Sequence, residues 1–533
     1  MEYEILGKKI SGPFTIPSGI LTTQISVLEK IAKEIPEIGI LTTKSIGVEK
    51  REGNREPIIA QIKPFTFINA VGLRNPGVEK FAKEISKIKI PKEKFLLFSI
   101  FGKDEREFER VAEKLKNLGD GFELNLSCPH AKNYGKAVGE NYPLVEKIVK
   151  KVAKFKKPVF IKISPNLNIK ETLKRAIRGG ISGIVAINTK GPESFIFDGH
   201  FVLSNKIGGI SGREIFKLGI KCVKEIRKFT KLPIIACGGI LTAKDVREYQ
   251  KAGANFFGIG SALAGMTTKE VKFYFHELME DLKRGTNNAE RFLKENGNRY
   301  YKKFKVKEKI FLDKETFLLK LEGKLNVKPG QFVFLWLPKK GEKPFSVLDD
   351  FPLSFLIKIR GFFTNQISQL KKGDNIYLRG PYGNSPQVKG KILLVGGGTG
   401  IAGLYLFAKE NKENFGLFSF SQKSFLNFLP NFEKRFQKIF LVTGDNKKER
   451  EKKFIHLLRK IIPEIKPDFC LNCGSKLMVE KSIEIEKDFL PPQRILSSFD
   501  IFTPCGIGLC GYCATKRGLR NCVDGTFFTP TQI

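Results

Sequence analysis

The sequence predicts an α/β protein: a (β/α)8 barrel, then a small β-barrel, a nucleotide-binding α/β domain and a C-terminal cysteine segment. Three observations predict this order. Apolar strands alternate with amphipathic helices through the first half, antiparallel strand patterns follow, and a glycine loop after an apolar strand opens the third part. The expected boundaries are 1–288, 289–388, 389–490 and 491–533.

The first domain is predicted by regularly spaced strand and helix patterns. FLLFSIFG precedes the helix pattern EREFERVAEKLKNLG and the strand GFELNLSCP, and PVFIKISP, GISGIVAIN, LPIIACGG and NFFGIGSA continue the series. Repeated βα units of this length favour a closed parallel barrel. Its chemistry is expected at the carboxyl ends of the strands.

The remaining domains follow a polar linker, from about Arg284 to Tyr301. The patterns FKVKEKIFLDKETFLLKLEG and PGQFVFLWLP indicate antiparallel strands that end near GDNIYLRGPYGN. KILLVGGGTGIAGL then reads as a strand, a glycine loop and a helix, which is typical of a dinucleotide phosphate site. A glycine loop alone is weak evidence, so this assignment depends on its surroundings.

Composition limits the possible partners. The chain has 533 residues and a net charge of +38, but its Lys and Arg residues are spread evenly and accompany no zinc-finger, helix-turn-helix or RNA-binding motif. We therefore expect no nucleic-acid partner. The N-terminus is charged, and five glycines interrupt the longest apolar stretch, Ile392 to Ala408. We expect no membrane segment and a reducing, cytoplasmic location.

Four cysteines near the C-terminus carry the most specific signal. Cys505, Cys510, Cys513 and Cys522 have the spacing C-x4-C-x2-C-x8-C, with glycines between the first three. Thiolates in this order are typical of a plant-type [2Fe–2S] cluster. A structural zinc site is the alternative, although such sites usually show two separated C-x2-C pairs. The pattern predicts a protein that moves single electrons.

Several residues at predicted strand ends suggest chemistry at the barrel mouth. NLSCPH places Asn125 and Cys128 there, although a lone buried cysteine is more often an inert core residue. Lys44 and Lys162 lie on otherwise apolar strands, where an ammonium is costly unless it meets an anion or an electron-rich ring. The glycines of ACGGI and GIGSA follow the last two strands, where barrels bind a cofactor phosphate.

In combination these motifs resemble class 1B dihydroorotate dehydrogenase. The matching segments are PSG (17–19), TKS (43–45), NAVGLRNPG (69–77), NLSCP (125–129), KIS (162–164), INT (187–189), GGISG (208–212), CGGI and GIGSA. The resemblance implies that FMN is held by Ser18, Lys44, Ser45, Ser99, Asn125, Lys162, Ile187, Gly212, Gly238, Gly239, Gly260 and Ser261. The implied pyrimidine contacts are Lys44, Asn69, Ala70, Val71, Gly72, Leu73, Asn125, His130, Asn188 and Thr189.

The resemblance also implies catalytic roles for Cys128, Lys162 and Lys44. Cys128 would take a proton from C5 of dihydroorotate while hydride leaves C6 for the flavin. Lys162 would offset the negative charge that develops on the reduced flavin. His130 stands where the family usually has Asn, and the resulting SCPH also resembles dihydropyrimidine dehydrogenase. Oxidation or reduction of another pyrimidine therefore stays open as an alternative.

Residues from about 300 onward resemble the electron-transfer subunit of the same enzyme class, a ferredoxin-reductase-like protein with FAD and [2Fe–2S], here fused to the barrel. KPFS, LIK and FT match its flavin segments, with Lys343 in place of Arg and Phe363 in place of Gly. NCGS (472–475) resembles the segment beside the nicotinamide. The implied FAD residues are Lys343, Pro344, Phe345, Ser346, Leu356, Ile357, Lys358, Phe363 and Thr364.

The remaining cysteines are expected to pack rather than bind metal. Cys470 and Cys473 form a C-x2-C pair without partner ligands, and Cys222 and Cys237 read as core residues. The whole resemblance implies an oxidoreductase of pyrimidine biosynthesis that converts dihydroorotate to orotate. Electrons would pass from FMN to [2Fe–2S], to FAD and to NAD+, with another carrier as the alternative acceptor. A homodimer through the barrel is expected.

Overall fold

The computed structural model describes residues 2–126, 136–295, 297–421 and 434–533. The chain divides into two compact units. Met1–Gly297 and Ile507–Ala514 form the first, and Asn298–Gly506 with Thr515–Ile533 forms the second. The part of the cysteine segment that carries Cys510 and Cys513 thus belongs to the first unit, which the sequence pattern did not predict.

The first unit contains a closed barrel of eight strands in which every neighbouring pair is parallel. The predicted α/β barrel is therefore confirmed. Its strands, in chain order and in order around the barrel, are Phe14–Ile16, Ile38–Thr42, Phe95–Ile100, Gly121–Asn125, Val159–Ile163, Gly183–Ala186, Ile234–Cys237 and Phe256–Gly258.

Amphipathic helices of the first unit follow the strands. In Glu105–Leu115 the apolar residues recur every three or four positions, so one face is buried, and the Asp104 side chain caps its first turn by accepting from the N–H groups of Arg106 and Glu107. The α-helices are Ile25–Glu34, Val78–Ile85, Glu105–Leu115, Lys136–Glu140, Tyr142–Ala153, Ile169–Gly179, Phe216–Phe229, Ala243–Lys251 and Thr268–Arg284, and the 3-10 helices are Arg213–Ile215, Ser261–Leu263, Asn288–Phe292 and, running into the second unit, Gly297–Arg299.

The barrel interior is apolar at its amino end. An antiparallel hairpin, Tyr3–Ile5 with Lys8–Ile10, contributes Ile5 and Ile10 to a buried cluster that also contains Phe95 and Phe160 from the strands. Because side chains alternate along a strand, residues two or four positions further on point into the same interior nearer the carboxyl ends. In the strands that begin at Phe95 and Val159, those residues are Ser99 and Lys162.

A four-stranded antiparallel sheet is built from the excursions after the second and sixth barrel strands. Asn69 is opposite Ile59 on one side and Gly209 on the other, so the NAVG and GGISG motifs lie side by side. In sheet order the strands are Lys190–Ser194, Ile207–Gly212, Thr66–Asn69 and Ile59–Lys63, with a separate hairpin of Ile196–Phe197 and His200–Phe201.

The second unit begins with a seven-stranded antiparallel sheet, which agrees with the predicted antiparallel strands. The predicted small β-barrel is not confirmed, because the two end strands of this sheet do not pair with each other. Its core contains Phe317, Leu319, Val333 and Leu335, all fully buried. The strands are Lys302–Phe311, Thr316–Leu321, Phe332–Leu337, Gly341–Ser346, Asp349–Asp350, Leu353–Lys358 and Asn375–Tyr382, and the one short helix between them is Phe362–Ser368.

A five-stranded parallel sheet follows, with the spatial order 3-2-1-4-5. This order places a topological switch point between its first and fourth strands, where open α/β sheets bind their ligands. The strands are Ile392–Gly397, Asn414–Phe420, Lys438–Thr443, Phe469–Cys473 and Ile495–Ser498, the α-helices of the described residues are Tyr405–Glu410, Lys447–Ile465 and Lys476–Glu486, and the 3-10 helices are Gly398–Gly403 and Pro492–Arg494.

No helix among the described residues is long and apolar enough to cross a membrane.

Candidate active site

A connected set of hydroxyl groups lies at the carboxyl ends of the first four barrel strands. Ser45 Oγ is 3.0 Å from Ser18 Oγ and 2.9 Å from Ser99 Oγ, and the Asn125 side-chain amide donates to Ser45 Oγ at 3.0 Å. These four residues come from four different strand ends. The barrel therefore brings together residues that are separated by more than a hundred positions in the sequence.

Lys162 lies beside a buried carboxylate. Its strand pairs Lys162 directly with Asn125, and Lys162 Nζ is 3.7 Å from Glu123 Oε1, with side-chain exposures of 6% and 2%. Ser99 Oγ donates to the same Glu123 oxygen at 2.7 Å. The opposite charge reduces the cost of burying the ammonium, because an unpaired charge in such a site would be strongly destabilising.

Glu123 was not among the residues predicted from the sequence. It stands two positions before Asn125 on the apolar strand GFELN, so the two side chains lie on the same face. The signal that identified Lys162, a charged residue within an apolar barrel strand, also applies to Glu123. Applied to carboxylates as well as to amines, that signal would have found it.

Lys44 follows the second strand and is buried. Gly19, in the PSG turn, has φ of +89°, and a Cβ atom built on it would lie 3.4 Å from Lys44 Nζ. The lysine amine therefore reaches the turn that carries Ser18. Two predicted FMN segments, PSG and TKS, meet at this point.

The loop after Asn69 has an unusual backbone. The Ala70 and Val71 carbonyls accept from the side chain and the N–H of Asn54, at 2.9 and 3.0 Å. Gly72 and Leu73 have φ of +77° and +55°, two successive left-handed residues. Among the described residues, neither of their N–H groups donates to an acceptor. Successive N–H groups in such a turn form a concavity that binds anions.

The residues that follow the sixth strand are hydrogen-bonded to the two neighbouring barrel strands. Ile187 N–H donates to the Cys237 carbonyl at 2.9 Å, and Asn188 N–H donates to the Ile163 carbonyl at 2.8 Å. The Asn188 side-chain oxygen accepts from Thr189 N–H at 2.9 Å. Asn188 and Thr189 are half-buried at this edge of the barrel, in positions suited to contact a bound small molecule.

Glycines from two segments meet near the ends of the last strands. A Cβ atom on Gly212 would lie 1.9 Å from the Phe65 carbonyl, and one on Gly239 would lie 2.7 Å from the Gly212 carbonyl. Tyr249 Oη donates to the Gly238 carbonyl at 2.8 Å. Gly260 and Ser261 open a short 3-10 helix after the eighth strand. Close backbone packing of this kind suits a phosphate held by N–H groups.

Two other cysteines of this unit have unreactive surroundings. Burial raises the pKa of Cys222 to about 11 and the pKa of Cys237 to about 12. Both thiols therefore stay protonated near neutral pH, which agrees with core packing. Cys128 and His130, the predicted base and the departure from the family pattern, lie outside the described residues.

The cysteine segment Ile507–Ala514 is hydrogen-bonded to loops at the carboxyl end of the barrel, within the first unit. Leu21 N–H donates to the Leu509 carbonyl at 2.7 Å, and Gly265 N–H donates to the Ile507 carbonyl at 2.9 Å. Leu21 follows the PSG turn, and Gly265 follows GIGSA. Cys510 and Cys513 are thus carried by a segment that contacts the predicted FMN loops.

The four cysteines of the predicted cluster are all buried. Gly506, Gly508 and Gly511 have φ between +71° and +75°, which lets the chain turn tightly between the thiols. In the part of the chain that the structure describes, no three His, Cys, Asp or Glu side chains are arranged to hold a metal ion. The ligand type, the spacing and the left-handed glycines agree with the [2Fe–2S] pattern, but the described thiols are not arranged as a metal site, so the cluster stays a prediction.

The second unit contains a cavity of about 900 Å³. It brings part of the predicted FAD motif, Pro344, Phe345 and Ser346, together with the glycine loop and the segment from Cys473 to Ser475. Leu356 and Lys358 also line it. The cavity lies where the 3-2-1-4-5 strand order has its switch point, so its position suits nucleotide binding.

Four predicted FAD residues, Lys343, Ile357, Phe363 and Thr364, are not among the described residues that line this cavity. Because successive side chains of a strand point to opposite faces, the Ile357 side chain points into the core, where it is 1% exposed. Phe363 packs on Phe345, with ring centroids 6.3 Å apart. Thr364 Oγ1 accepts from the N–H of Gly361 at 3.2 Å and so caps its own helix.

Cys470 and Cys473 lie on one strand, three positions apart, so their side chains leave opposite faces of the sheet. Cys470 is fully buried in one core cluster, whereas Cys473 packs against another and lines the cavity. Burial raises the pKa of Cys473 to about 12. The two thiols are not placed to share a metal ion.

Comparison with known proteins identifies the family. The family model described as dihydroorotate dehydrogenase matches residues 1–284, which is the barrel unit just described. The chain belongs to the dihydroorotate dehydrogenase family. The prediction that it is an enzyme, an oxidoreductase of this kind, is confirmed.

Three curated relatives match about half of the chain, and all three are named dihydroorotate dehydrogenase B (NAD(+)), catalytic subunit. The protein of Methanocaldococcus jannaschii is 40% identical over 271 residues, 49% of this chain and 87% of the relative. That of Thermoplasma volcanium is 42% identical over 265 residues, 49% of this chain and 85% of the relative. That of Pyrococcus abyssi is 37% identical over 305 residues, covering 56% and 95%.

Among solved structures, ligand-free dihydroorotate dehydrogenase from Eimeria tenella aligns with a TM-score of 0.46 and 20% identity, over 55% of this chain and 90% of that chain. The matched parts of the relatives leave about half of this chain uncovered, so it is larger than those catalytic subunits.

Proposed function

We propose that this chain oxidises (S)-dihydroorotate to orotate in de novo pyrimidine synthesis, using FMN in the barrel and passing electrons through a [2Fe–2S] cluster and FAD to NAD+. The observation that carries the proposal is the convergence of Ser45, Ser99, Asn125 and Lys162 at the carboxyl mouth of a barrel of this family. Bound FMN would supply the hydride acceptor.

Lys162 and Glu123 set the electrostatics of the proposed flavin site. An ammonium held at the end of the fifth strand stabilises negative charge that develops nearby. The carboxylate at 3.7 Å and the Ser99 hydroxyl fix its surroundings, so little reorganisation is needed during reaction. Asn125, which pairs in register with Lys162, would contact flavin or pyrimidine.

The loop after Asn69 supports a pyrimidine that carries a carboxylate. Two successive left-handed residues, Gly72 and Leu73, present N–H groups that are suited to an anion. Dihydroorotate has such a carboxylate, whereas dihydrouracil lacks it. This loop therefore favours dihydroorotate over the alternative pyrimidine substrates, although His130 departs from the family pattern.

Cys128 is the proposed base. It stands three positions after Asn125, the last residue of the fourth strand, in the sequence. A thiolate there would take the C5 proton of dihydroorotate while hydride leaves C6. Lys44, whose amine reaches the PSG turn, would contact flavin and pyrimidine together.

Two observations support the electron path. The segment with Cys510 and Cys513 is hydrogen-bonded to barrel loops next to predicted FMN residues, and the second unit offers a nucleotide-sized cavity at a sheet switch point. Cys505, Cys510, Cys513 and Cys522 would hold the cluster, which carries one electron at a time. The second unit would act as the fused electron-transfer half, and a different acceptor is the alternative. We also propose a cytoplasmic homodimer formed through the barrel.

Anaerobic stopped-flow spectroscopy tests the proposal. Dihydroorotate should bleach the flavin absorbance of the purified holoenzyme, dihydrouracil should not, and added NAD+ should then yield NADH. Flavin bleaching without NADH formation would support dihydroorotate as the substrate but reject NAD+ as the acceptor. A response to dihydrouracil alone would reject the dihydroorotate assignment. The Cys128→Ser variant should still bind FMN. Dihydroorotate should reduce that FMN at least about 100-fold more slowly, because the loss of a general base typically slows a reaction by this much.

A further inference from the structure

Tyr512 connects the cysteine segment to the proposed pyrimidine loop. It stands between Cys510 and Cys513, and its hydroxyl donates to the carbonyl of Arg74 at 3.0 Å. The Arg74 guanidinium carbon lies 5.7 Å from the centroid of the Tyr512 ring, within the range of a cation–π contact. Tyr512 therefore contacts both the backbone and the side chain of one residue.

Arg74 directly follows Leu73, the second of the two left-handed residues. Its carbonyl ends the loop whose N–H groups are proposed to receive the substrate carboxylate. Its guanidinium is 3.6 Å from Glu56 Oε1, and both side chains are largely buried. An Arg74 fixed in this way leaves Leu73 little freedom to change its backbone conformation.

The other side of the loop is held by residues 51–54. Asn75 and Arg51 exchange backbone hydrogen bonds of 3.0 and 3.1 Å, and a Cβ atom on Gly53 would lie 2.4 Å from the Val71 carbonyl. These contacts fix the position of the loop near its middle and just past its end. The hydrogen bond from Tyr512 adds an attachment at Arg74 itself.

The cysteine segment can serve as that attachment because its own backbone is held against loops of the barrel. Besides the backbone hydrogen bonds to Leu21 and Gly265, a Cβ atom on Gly511 would lie 2.0 Å from the Leu21 carbonyl. The two backbones thus pack too closely for any side chain at position 511. Tyr512, the next residue, projects from a fixed piece of chain.

We propose that Tyr512 is a positioning residue for the pyrimidine loop: by holding Arg74 it keeps the Gly72 and Leu73 N–H groups aimed at the substrate carboxylate. The C-terminal cysteine segment thereby sets the affinity of the barrel for its substrate. The inference rests on the proposed function, because that function assigns a carboxylate-bearing pyrimidine to this loop.

The test compares two tyrosines in the full-length holoenzyme. Tyr512→Phe removes the hydroxyl that bonds Arg74, and Tyr274→Phe removes a buried hydroxyl that donates to the Leu241 carbonyl at 2.9 Å. Orotate binding is followed by the change in flavin absorbance. We expect the Kd for orotate to rise about fivefold in Tyr512→Phe, as for one lost hydrogen bond, and to change less than about twofold in Tyr274→Phe. The KM for dihydroorotate should rise in parallel while kcat stays near its original value.

An unchanged Kd in Tyr512→Phe, with flavin and iron content equal to those of the original protein, would overturn the inference. Equal weakening in both variants would also overturn it, because the effect would then be general. If Tyr512→Phe does not fold, Arg74→Met, which removes the guanidinium from the ring, should raise the Kd in the same direction, and no rise would reject the idea. If the original protein shows no response to orotate, the proposed function itself fails.

Discussion

The guanidinium of Arg379 holds the carboxylate of Glu342 through two hydrogen bonds, 2.8 Å from Nε to Oε1 and 2.6 Å from Nη2 to Oε2. Both residues are buried, at 2% and 1% exposure. Arg379 Nη1 also donates to the Cys505 carbonyl at 2.7 Å, and Tyr301 Oη donates to Glu342 at 2.7 Å. Within the second unit, one ion pair thus joins two sheet strands to Cys505, the first of the four predicted cluster ligands.

Replacing Arg379 with Met should destabilise the second unit by about 3–5 kcal/mol, because it leaves a buried carboxylate without its partner. Urea unfolding can be followed by the fluorescence of Trp336, the single tryptophan of the chain, which is 1% exposed in the same sheet. The double variant Glu342→Gln/Arg379→Met should lose less, since no charge stays buried alone. A double variant at least as unstable as the single one would contradict this account.

Replacing Cys505 with Ser should remove most of the iron and the visible absorbance that a [2Fe–2S] cluster gives, because a proposed ligand is lost. Iron content and the electron paramagnetic resonance signal of the reduced protein measure this. Cys470→Ser, at a fully buried thiol in another core cluster, is the matched control and should keep its iron. Full iron content in Cys505→Ser would remove this residue from the ligand set.

Replacing Glu123 with Gln should make the midpoint potential of bound FMN more positive, because the Lys162 ammonium then loses the carboxylate at 3.7 Å. For a two-electron couple, a shift of about 30 mV in the midpoint potential corresponds to a change of about 1.4 kcal/mol in the free energy of flavin reduction. Reductive titration against redox dyes gives the potential. Glu113→Gln, an exposed helical position, should leave it unchanged. A potential that does not move, or that falls, would show that Glu123 does not offset the charge of Lys162.

Glu486 should make stability depend on pH. Burial raises the pKa of this carboxyl to about 8, and the hydrogen bond that the Asn472 side-chain amide donates at 2.7 Å counters part of that rise. An unfolded glutamate ionises near pH 4.3, so from about pH 5 to about pH 8 the folded state holds one more proton. The free energy of unfolding should therefore fall as pH rises, by at most about 1.4 kcal/mol per unit, and level off above about pH 8.

Urea unfolding at several pH values, followed by circular dichroism, checks this dependence. Glu486→Gln should remove the slope attributed to this group, whereas Glu464→Gln, at an exposed helical position, should retain it. Identical slopes in the original protein and in Glu486→Gln would show that the carboxyl is already ionised in the folded state.

Much of the barrel could be predicted from the sequence because its signals are local. Each strand is a short apolar run between turn residues, and each helix repeats its apolar positions every three or four residues. A charged residue within an apolar strand, such as Lys162, is also a local signal, and it indicated the mouth of the barrel. The spacing of the four C-terminal cysteines is likewise a local signal, and it alone predicted a cluster.

Only the tertiary structure decided which groups meet. Glu123 lies next to Lys162 because the fourth and fifth strands pair in one register, which no single strand pattern specifies. Strand alternation turned Ile357 away from the cavity, although the motif that contains it also supplies Leu356 and Lys358. Tyr512 bonds to a residue 438 positions earlier in the chain. Contacts of this kind depend on how the chain closes over long distances, so the sequence by itself determined the elements and the residue types, and the fold decided their partners.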